Sequence, residues 1–288
     1  MTDEKKFTGW KRTYIGLLNA ATVICILLGI IINVGGWIGS DIFRAFTGFG
    51  SDSSRTSESS STVTRNADDA IGAFDKVEGS IDAGNVKFVY GDDYGFSYEN
   101  YPEKEVPKAE LNGKTLKITQ KAKNKKRIGD FSNSFKGAEI VITLPKEMAV
   151  DVDLHLSMGA VETKGVTFGD VKLDADMGSI ELDTVTIKDM DLTADMGAIT
   201  VEDSVFSEGD IKASMGGIEL KNVTFDEADL EADMGGIKID GSFNDLKAKC
   251  SMGGIDVTAD DSDAKMNLSA DLGGITVNGQ SVGRNYKN

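Results

Sequence analysis

The chain's only histidine among 288 residues is His155, the one side chain whose ordinary pKa suits a general base near neutrality. A nucleophile triad needs such a base beside a Ser or Cys, with a third group to orient it. No Ser or Cys motif accompanies His155, which reads as a solvated surface side chain. Paired carboxylates are the next chemistry to consider, because β-helical scaffolds host polysaccharide lyases and hydrolases. Acid is plentiful, but it is spread evenly through the C-terminal half instead of gathering at one departure from the pattern. Asp260, Asp261 and Asp263 form a local acidic loop that reads as a solvated turn, with a metal site as the weaker alternative. The Gly-Gly-x-Gly-x-Asp turn of calcium-binding β-rolls is absent. No P-loop, dinucleotide fingerprint or Cys/His metal spacing occurs. The expectation is no catalytic, cofactor-binding or metal-binding residue set, and a protein that is not an enzyme.

What does recur is a corner. Met-Gly or Leu-Gly, then a small residue and Ile or Val, begins at Met158, Met177, Met196, Met215, Met234, Met252 and Leu272, in steps of 19, 19, 19, 19, 18 and 20 residues. That period belongs to solenoids. In Asp229-Leu230-Glu231-Ala232-Asp233-Met234-Gly235-Gly236-Ile237-Lys238-Ile239, apolar and polar residues alternate on both sides of the glycines, which means strands. Leu230, Ala232 and Met234 are expected to point inward on one strand, Ile237 and Ile239 on the next, and Val223 with Phe225 on a third. One rung cannot bury that edge alone, whereas stacked rungs form a continuous core. Gly159, Gly178, Gly197, Gly216, Gly235, Gly253 and Gly273 share one place in the repeat, as a corner needing positive φ or close backbone approach demands.

Outward columns follow from the same register. Three residues before each corner stand His155, Asp174, Thr193, Lys212, Glu231, Lys249 and Ser269. Parallel stacking brings neighbours in this column to about 4.8 Å, so Lys212, Glu231 and Lys249 are expected to alternate in sign. The adjoining column is Ser157, Asp176, Asp195, Ser214, Asp233, Ser251 and Asp271, with one adjacent pair of acids.

Net charge is −16, and residues 151–288 carry −17 of it, holding 28 Asp and Glu against 11 Lys and Arg. An acidic solenoid disfavours nucleic acid and bare anionic lipid as direct partners. Cys25 lies in an apolar segment and Cys250 at an inward position, so no disulfide is expected between them.

The remaining segments set the domain organisation. Residues 1–13 carry Lys5, Lys6, Lys11 and Arg12 and read as a cytoplasmic N-terminus. Residues 14–39 read as one transmembrane helix: Tyr14 to Ile38 holds no charge, and Trp10, Tyr14 and Trp37 suit the interfaces. The excess of basic residues before the span keeps the N-terminus inside and sends the rest outside. A cleaved signal peptide is the weaker alternative, since Asn33 to Gly39 offers a poor cleavage site. Residues 40–69 read as a Ser-rich tether, 70–150 as a β-rich cap of meander-like hairpins, 151–279 as the solenoid and 280–288 as a degenerate tail closing its far end. Seven basic residues between Lys114 and Arg127 read as a solvated hairpin, with a contact to anionic wall polymer or lipid headgroups as the sharper alternative.

Three stretches carry a family resemblance: Asn112 to Ile118, Ile140 to Lys146, and the Met-Gly-Gly-Ile corners. With these the chain resembles the bacterial putative adhesin family, cell-envelope proteins with β-strand repeats and no known biochemical function. The resemblance covers about Ala70 to Val277 and implies membrane anchoring and a link to envelope-stress regulators; it supplies no catalytic residues. The fold class expected is all-β: a parallel β-solenoid of about seven 19-residue rungs, about 33 Å long and right-handed by the usual crossover preference. The function expected is a membrane-anchored extracytoplasmic binding surface or envelope-stress accessory. Its partners would be the bilayer through residues 14–39 and cell-wall polymer, a surface or host protein, or an envelope-stress regulator. A carbohydrate-active enzyme and a structural spacer are the alternatives.

Overall fold

The computed structural model describes residues 62–65, 71–123, 135–146 and 148–288. The span expected at 14–39 and Cys25 lie outside the described residues, as does most of the tether. Among the described residues every regular element is a β-strand, and no helix is long and apolar enough to cross a membrane.

The chain enters through β1 (Thr62–Arg65), β2 (Lys76–Ile81), β3 (Asn85–Gly91), β4 (Gly95–Pro102), β5 (Lys108–Asn112), β6 (Thr115–Gln120) and β7 (Glu139–Pro145). The repeats follow as β8 (Val150–Met158), β9 (Val161–Lys164), β10 (Phe168–Met177), β11 (Ile180–Asp183), β12 (Thr186–Met196), β13 (Ile199–Glu202) and β14 (Val205–Met215). They continue as β15 (Ile218–Met234), β16 (Ile237–Met252), β17 (Ile255–Ala259), β18 (Lys265–Leu272) and β19 (Ile275–Val277), and β20 (Gln280–Gly283) and β21 (Asn285–Lys287) close the chain.

The 19-residue register holds in space. Leu173 sits beside Leu154 and Leu192, Ala175 beside Leu156 and Ala194, and Leu230 beside Ile211 and Ala248, all in parallel ladders. Each backbone group therefore pairs with the rung before and the rung after. Three apolar faces point inward, as the alternation requires. Leu230 and Ala232, Ile237 and Ile239, and Val223 and Phe225 are all buried. On the third face Phe206, Phe225 and Phe243 form a stack, with ring centroids 4.9 Å apart and planes 6° and 7° from parallel. Each ring covers the face of the next, adding an aromatic contact to the burial.

Two expectations are corrected. Met234, expected inside with Leu230 and Ala232, is 44% exposed, and Met196, Met215, Met252 and Leu272 are exposed as well. Alternation fails there because the strand ends and the chain turns at the following glycine. The inward position before it is filled by Ala232, Cys250 or Ala270, all buried, where the core tapers into the corner.

The second correction concerns residues 70–150. A meander of hairpins was expected, but β2 pairs in parallel with both β6 and β8, and β3 with both β7 and β9. The stack thus extends two levels beyond the repeats, out of chain order: β6 and β7 lie outermost, with β2 and β3 between them and the first repeat. Only the outer surface is antiparallel, where β5 closes β6 across Asn112-Gly113 and β4 covers β7, with β1 on β4. The far end is covered in the same manner, β21 antiparallel to β18 and β20 to β19. Among the described residues, antiparallel strands thus cover part of the sheet edge at both ends, where a bare edge could recruit another chain. Polar groups trapped in the cap are satisfied: buried Gln120 accepts from Ala83 N–H at 2.9 Å and donates to Glu105 O at 3.0 Å.

Candidate functional site on the solenoid surface

The solenoid presents three features outside its core. The first is the ridge of corner side chains. Met158, Met177 and Met196 are adjacent in the ladders, as are Met215, Met234, Met252 and Leu272. Exposure rises along the axis, from the partly buried Met158 and Met177 to Leu272 at 62%. Behind the ridge lies a floor of backbone, because the glycines leave no side chain there. Exposed large apolar side chains in one continuous row are what interfaces, not free surfaces, carry. Methionine suits such a row, being flexible and polarizable enough to fit more than one contour.

The second feature is a shallow groove of about 510 Å³ beside the bend that leads into each long strand, lined by Asp170, Lys172, Asp189, Asp191, Glu208 and Asp210 among others. Some of its charges are paired, mostly from rung to rung, while Glu208 has no lysine partner among the described residues. Lys172 Nζ donates to Asp191 at 2.6 Å, Lys188 reaches Asp170 at 3.3 Å and Asp189 at 2.7 Å, and Lys247 donates to Glu227 at 2.9 Å. The hydrogen bond to Asp191 raises the Lys172 pKa above the ordinary lysine value, and Glu227 does the same for Lys247. The column of alternating sign forms only in part. Lys249 reaches Glu231 at 2.9 Å, but Lys212 turns to Asp210 on its own strand at 3.0 Å instead of to Glu231. Two positions along one strand bring both side chains to the same face, so the nearer acid wins.

The third feature gathers residues that the sequence placed in two separate columns. His155 does lie on an outward column, but not alone. Its Nδ1 is 3.2 Å from Asp174 Oδ2, directly beside it in the ladder, and its Nε2 is 3.6 Å from Asp176 Oδ2. All three side chains are partly exposed. Among the described residues no hydroxyl or thiol is hydrogen-bonded to the His155 ring, so a triad is not assembled there. The grouping was readable in advance: His155 and Asp174 are consecutive in one column, and Asp176 stands in the next.

The acidic loop sits where the last rung loses its third strand. Asp261 Oδ1 accepts from Asp263 N–H at 2.9 Å and Asp260 N–H donates to Gly241 O at 3.0 Å, closing an exposed turn. Cys250 is buried, its thiol donates to Gly235 O at 3.0 Å, and burial pushes its pKa up. That leaves it little thiolate character. Of the basic cluster, Lys114 pairs with Asp75 at 3.1 Å, while Lys125, Lys126 and Arg127 lie outside the described residues.

Comparison with known proteins agrees with this architecture. A putative adhesin from Bacteroides fragilis NCTC 9343 shares the fold, with a TM-score of 0.54 and 17% identity over 76% of this chain and 97% of its own. A putative cell adhesion protein from Clostridium sporogenes ATCC 15579 is 15% identical over 63% of this chain and 99% of its own, with a TM-score of 0.31, too low to carry an argument. No curated protein matches. The family model described as Toastrack DUF4097 matches residues 80–287, from the inner level of the cap through every repeat to the closing strands. A match over that much of the sequence assigns it: the chain belongs to the Toastrack DUF4097 family.

Proposed function

We propose that this chain is a non-enzymatic, membrane-anchored protein of the bacterial cell envelope whose solenoid stands outside the membrane and binds another protein along the methionine ridge. The observation that carries this reading is the exposed row at Met196, Met215, Met234, Met252 and Leu272. A row of that kind gains about 25 cal/mol for each Å² of apolar surface a partner covers. The flanking acids Asp195, Asp233 and Asp271 set the partner's chemistry, an apolar cleft with basic margins, and they repel anionic wall polymers. Apolar residues 14–39 supply the anchor, and the basic residues before them keep the N-terminus in the cytoplasm. The adhesion description of the Bacteroides fragilis protein points the same way.

Two measurements test this. Protease shaving of intact cells, followed with an antibody to the C-terminus, removes the solenoid while a cytoplasmic control survives; protection that persists until lysis, with the wall shown not to block the protease, overturns the outward orientation. A photo-crosslinker at Met234 in the full-length chain on intact cells gives a discrete adduct with one protein, and the same group at Lys247 does not. A partner from the same cell favours the envelope-stress accessory, and one from a surface or host favours adhesion. No adduct at Met234, or turnover of wall polysaccharide abolished by one acidic substitution, replaces the reading with a spacer or an enzyme.

A further inference from the structure

Lysines answer some of the stacked carboxylates of the solenoid. Lys164 reaches Asp183 at 2.7 Å, Lys238 reaches Glu219 at 3.0 Å and Lys221 reaches Glu202 at 3.4 Å. At one stacked pair of acids no such bridge forms. Asp176 and Asp195 are neighbours in adjacent rungs, because the ladder pairs Ala175 with Ala194 and Met177 with Met196 on either side of them. Among the described residues no lysine or arginine bridges to either acid. Asp195 Oδ1 accepts from Ser214 Oγ at 3.2 Å, and Asp176 meets only the imidazole of His155.

The orientation of that imidazole is informative. Asp174 is an acceptor, so in the neutral ring the proton sits on Nδ1 and is donated to Asp174 Oδ2 at 3.2 Å. The lone pair is then on Nε2 and faces Asp176 Oδ2 across 3.6 Å. Two acceptors facing each other across that gap make no hydrogen bond. They do match two ligands of one cation: bonds of about 2.1 Å at a tetrahedral angle put ligand atoms about 3.4 Å apart. Asp174 plays the part that a carboxylate commonly plays behind a metal-bound histidine, fixing the tautomer and the ring.

The geometry points to a divalent-cation site on the first two repeats, with His155 Nε2 and Asp176 as ligands and Asp174 as the positioning residue. One imidazole with a carboxylate, and no thiolate, suits a borderline ion of the Zn²⁺ class. Water completes the coordination on the exposed side. Because the two ligands come from β8 and β10, the ion ties two rungs together, and an ion that binds only the folded chain raises the melting temperature with the logarithm of its free concentration above Kd.

The test is titration of the purified full-length chain in detergent with Zn²⁺, competed against a chromophoric chelator, with Mg²⁺ as the hard-ion control and thermal melting as a second readout. One saturable Zn²⁺ site is expected. H155A and D176N weaken it at least tenfold and abolish the Zn²⁺-dependent rise in melting temperature. D174N, which leaves both ligands in place, weakens it about 10- to 100-fold, and D261N in the distant acidic loop leaves it unchanged. Circular dichroism without the ion checks that each variant keeps its strands. Absence of a saturable site in the unvaried chain overturns the proposal. So does Zn²⁺ binding of equal strength in the unvaried chain, H155A and D176N, which would mark diffuse association with an acidic surface. Equal affinity for Mg²⁺ overturns the Zn²⁺-class assignment.

Discussion

Gly235 faces the carbonyl of Gly216 so closely that a β-carbon on Gly235 would fall well inside van der Waals contact of that oxygen. The next residue is different: a β-carbon on Gly236 would lie 3.4 Å from Gly254 O, an ordinary contact. The two adjacent glycines should therefore respond differently. Gly235→Ala forces two rungs apart at the corner and should cost about 1–3 kcal/mol or more, as overpacking does. Gly236→Ala should be neutral within about 0.5 kcal/mol, since Ala198 already stands at that place in another rung. Urea unfolding midpoints of the two variants check this, and equal midpoints would show that the corner has room to relax.

Much of this was legible because the corner glycine enforces a spacing that simple counting recovers. The three inward faces follow from alternation, which works wherever the chain stays extended. It misplaced Met234 because the strand ends there. It also missed the two extra levels of the stack. Val77 aligns with both Leu116 and Val152, and those partners are 39 and 75 residues away in sequence with no corner motif to mark them. The His155 cluster needed no new information, only the two outward columns read side by side instead of one at a time.

The second corner of the rung was not legible at all. Thr184 has φ of 58°, Asp203 and Asn222 both 51°, and Gly165 70°, so one left-handed place is filled by four residue types. A β-branched residue is strained there, by about 1–2 kcal/mol. Thr184 N–H still donates to Glu202 O at 2.9 Å, which holds the backbone in place. Thr184→Asn should raise stability by about 0.5–1 kcal/mol, relieving part of that strain, whereas Thr184→Val should lower it. Melting curves of the two variants check the sign, and a stabilised valine variant would mean that the corner is not strained.

The phenylalanine stack predicts a graded loss. Phe225 lies between Phe206 and Phe243, with centroids 4.9 Å away on both sides, and it is buried. Phe225→Ala removes both ring contacts and leaves a cavity that the rungs above and below cannot close, at a cost of about 3–5 kcal/mol. Phe225→Leu keeps most of the volume and should cost clearly less. Because a solenoid couples mainly through nearest neighbours, hydrogen exchange should speed up most in β14, β15 and β16 and least in β8 and β9. Uniform acceleration along the axis would contradict nearest-neighbour coupling.

The rung-to-rung ion pairs predict how stability depends on pH. Asp183 accepts from Lys164 Nζ at 2.7 Å and from Thr184 Oγ1 at 2.6 Å, and these bonds hold its carboxyl below the ordinary 3.8. A group whose pKa falls on folding binds fewer protons in the folded state. Its contribution is complete above the unfolded value and disappears as pH falls through the folded one. Lys164, raised above 10.5 by the same hydrogen bond, behaves in the opposite sense: its contribution is complete below 10.5 and is lost as pH rises through the folded value. Lys172, Lys188, Lys238, Lys247 and Lys249 are shifted in the same direction, each first by a hydrogen bond to a carboxylate. The melting temperature should therefore hold a plateau around neutrality and decline above pH 10.5. Asp183→Asn removes its part of the acid limb, so the stability difference from the unvaried chain should be full near neutrality and close as pH falls below 3.8. These pairs are exposed and individually weak, which makes the closing of that difference, followed by melting across pH, a sharper readout than its size. A difference that stays constant at pH values well below 3.8 would show that Asp183 acts through its shape and hydrogen bonds, not its charge.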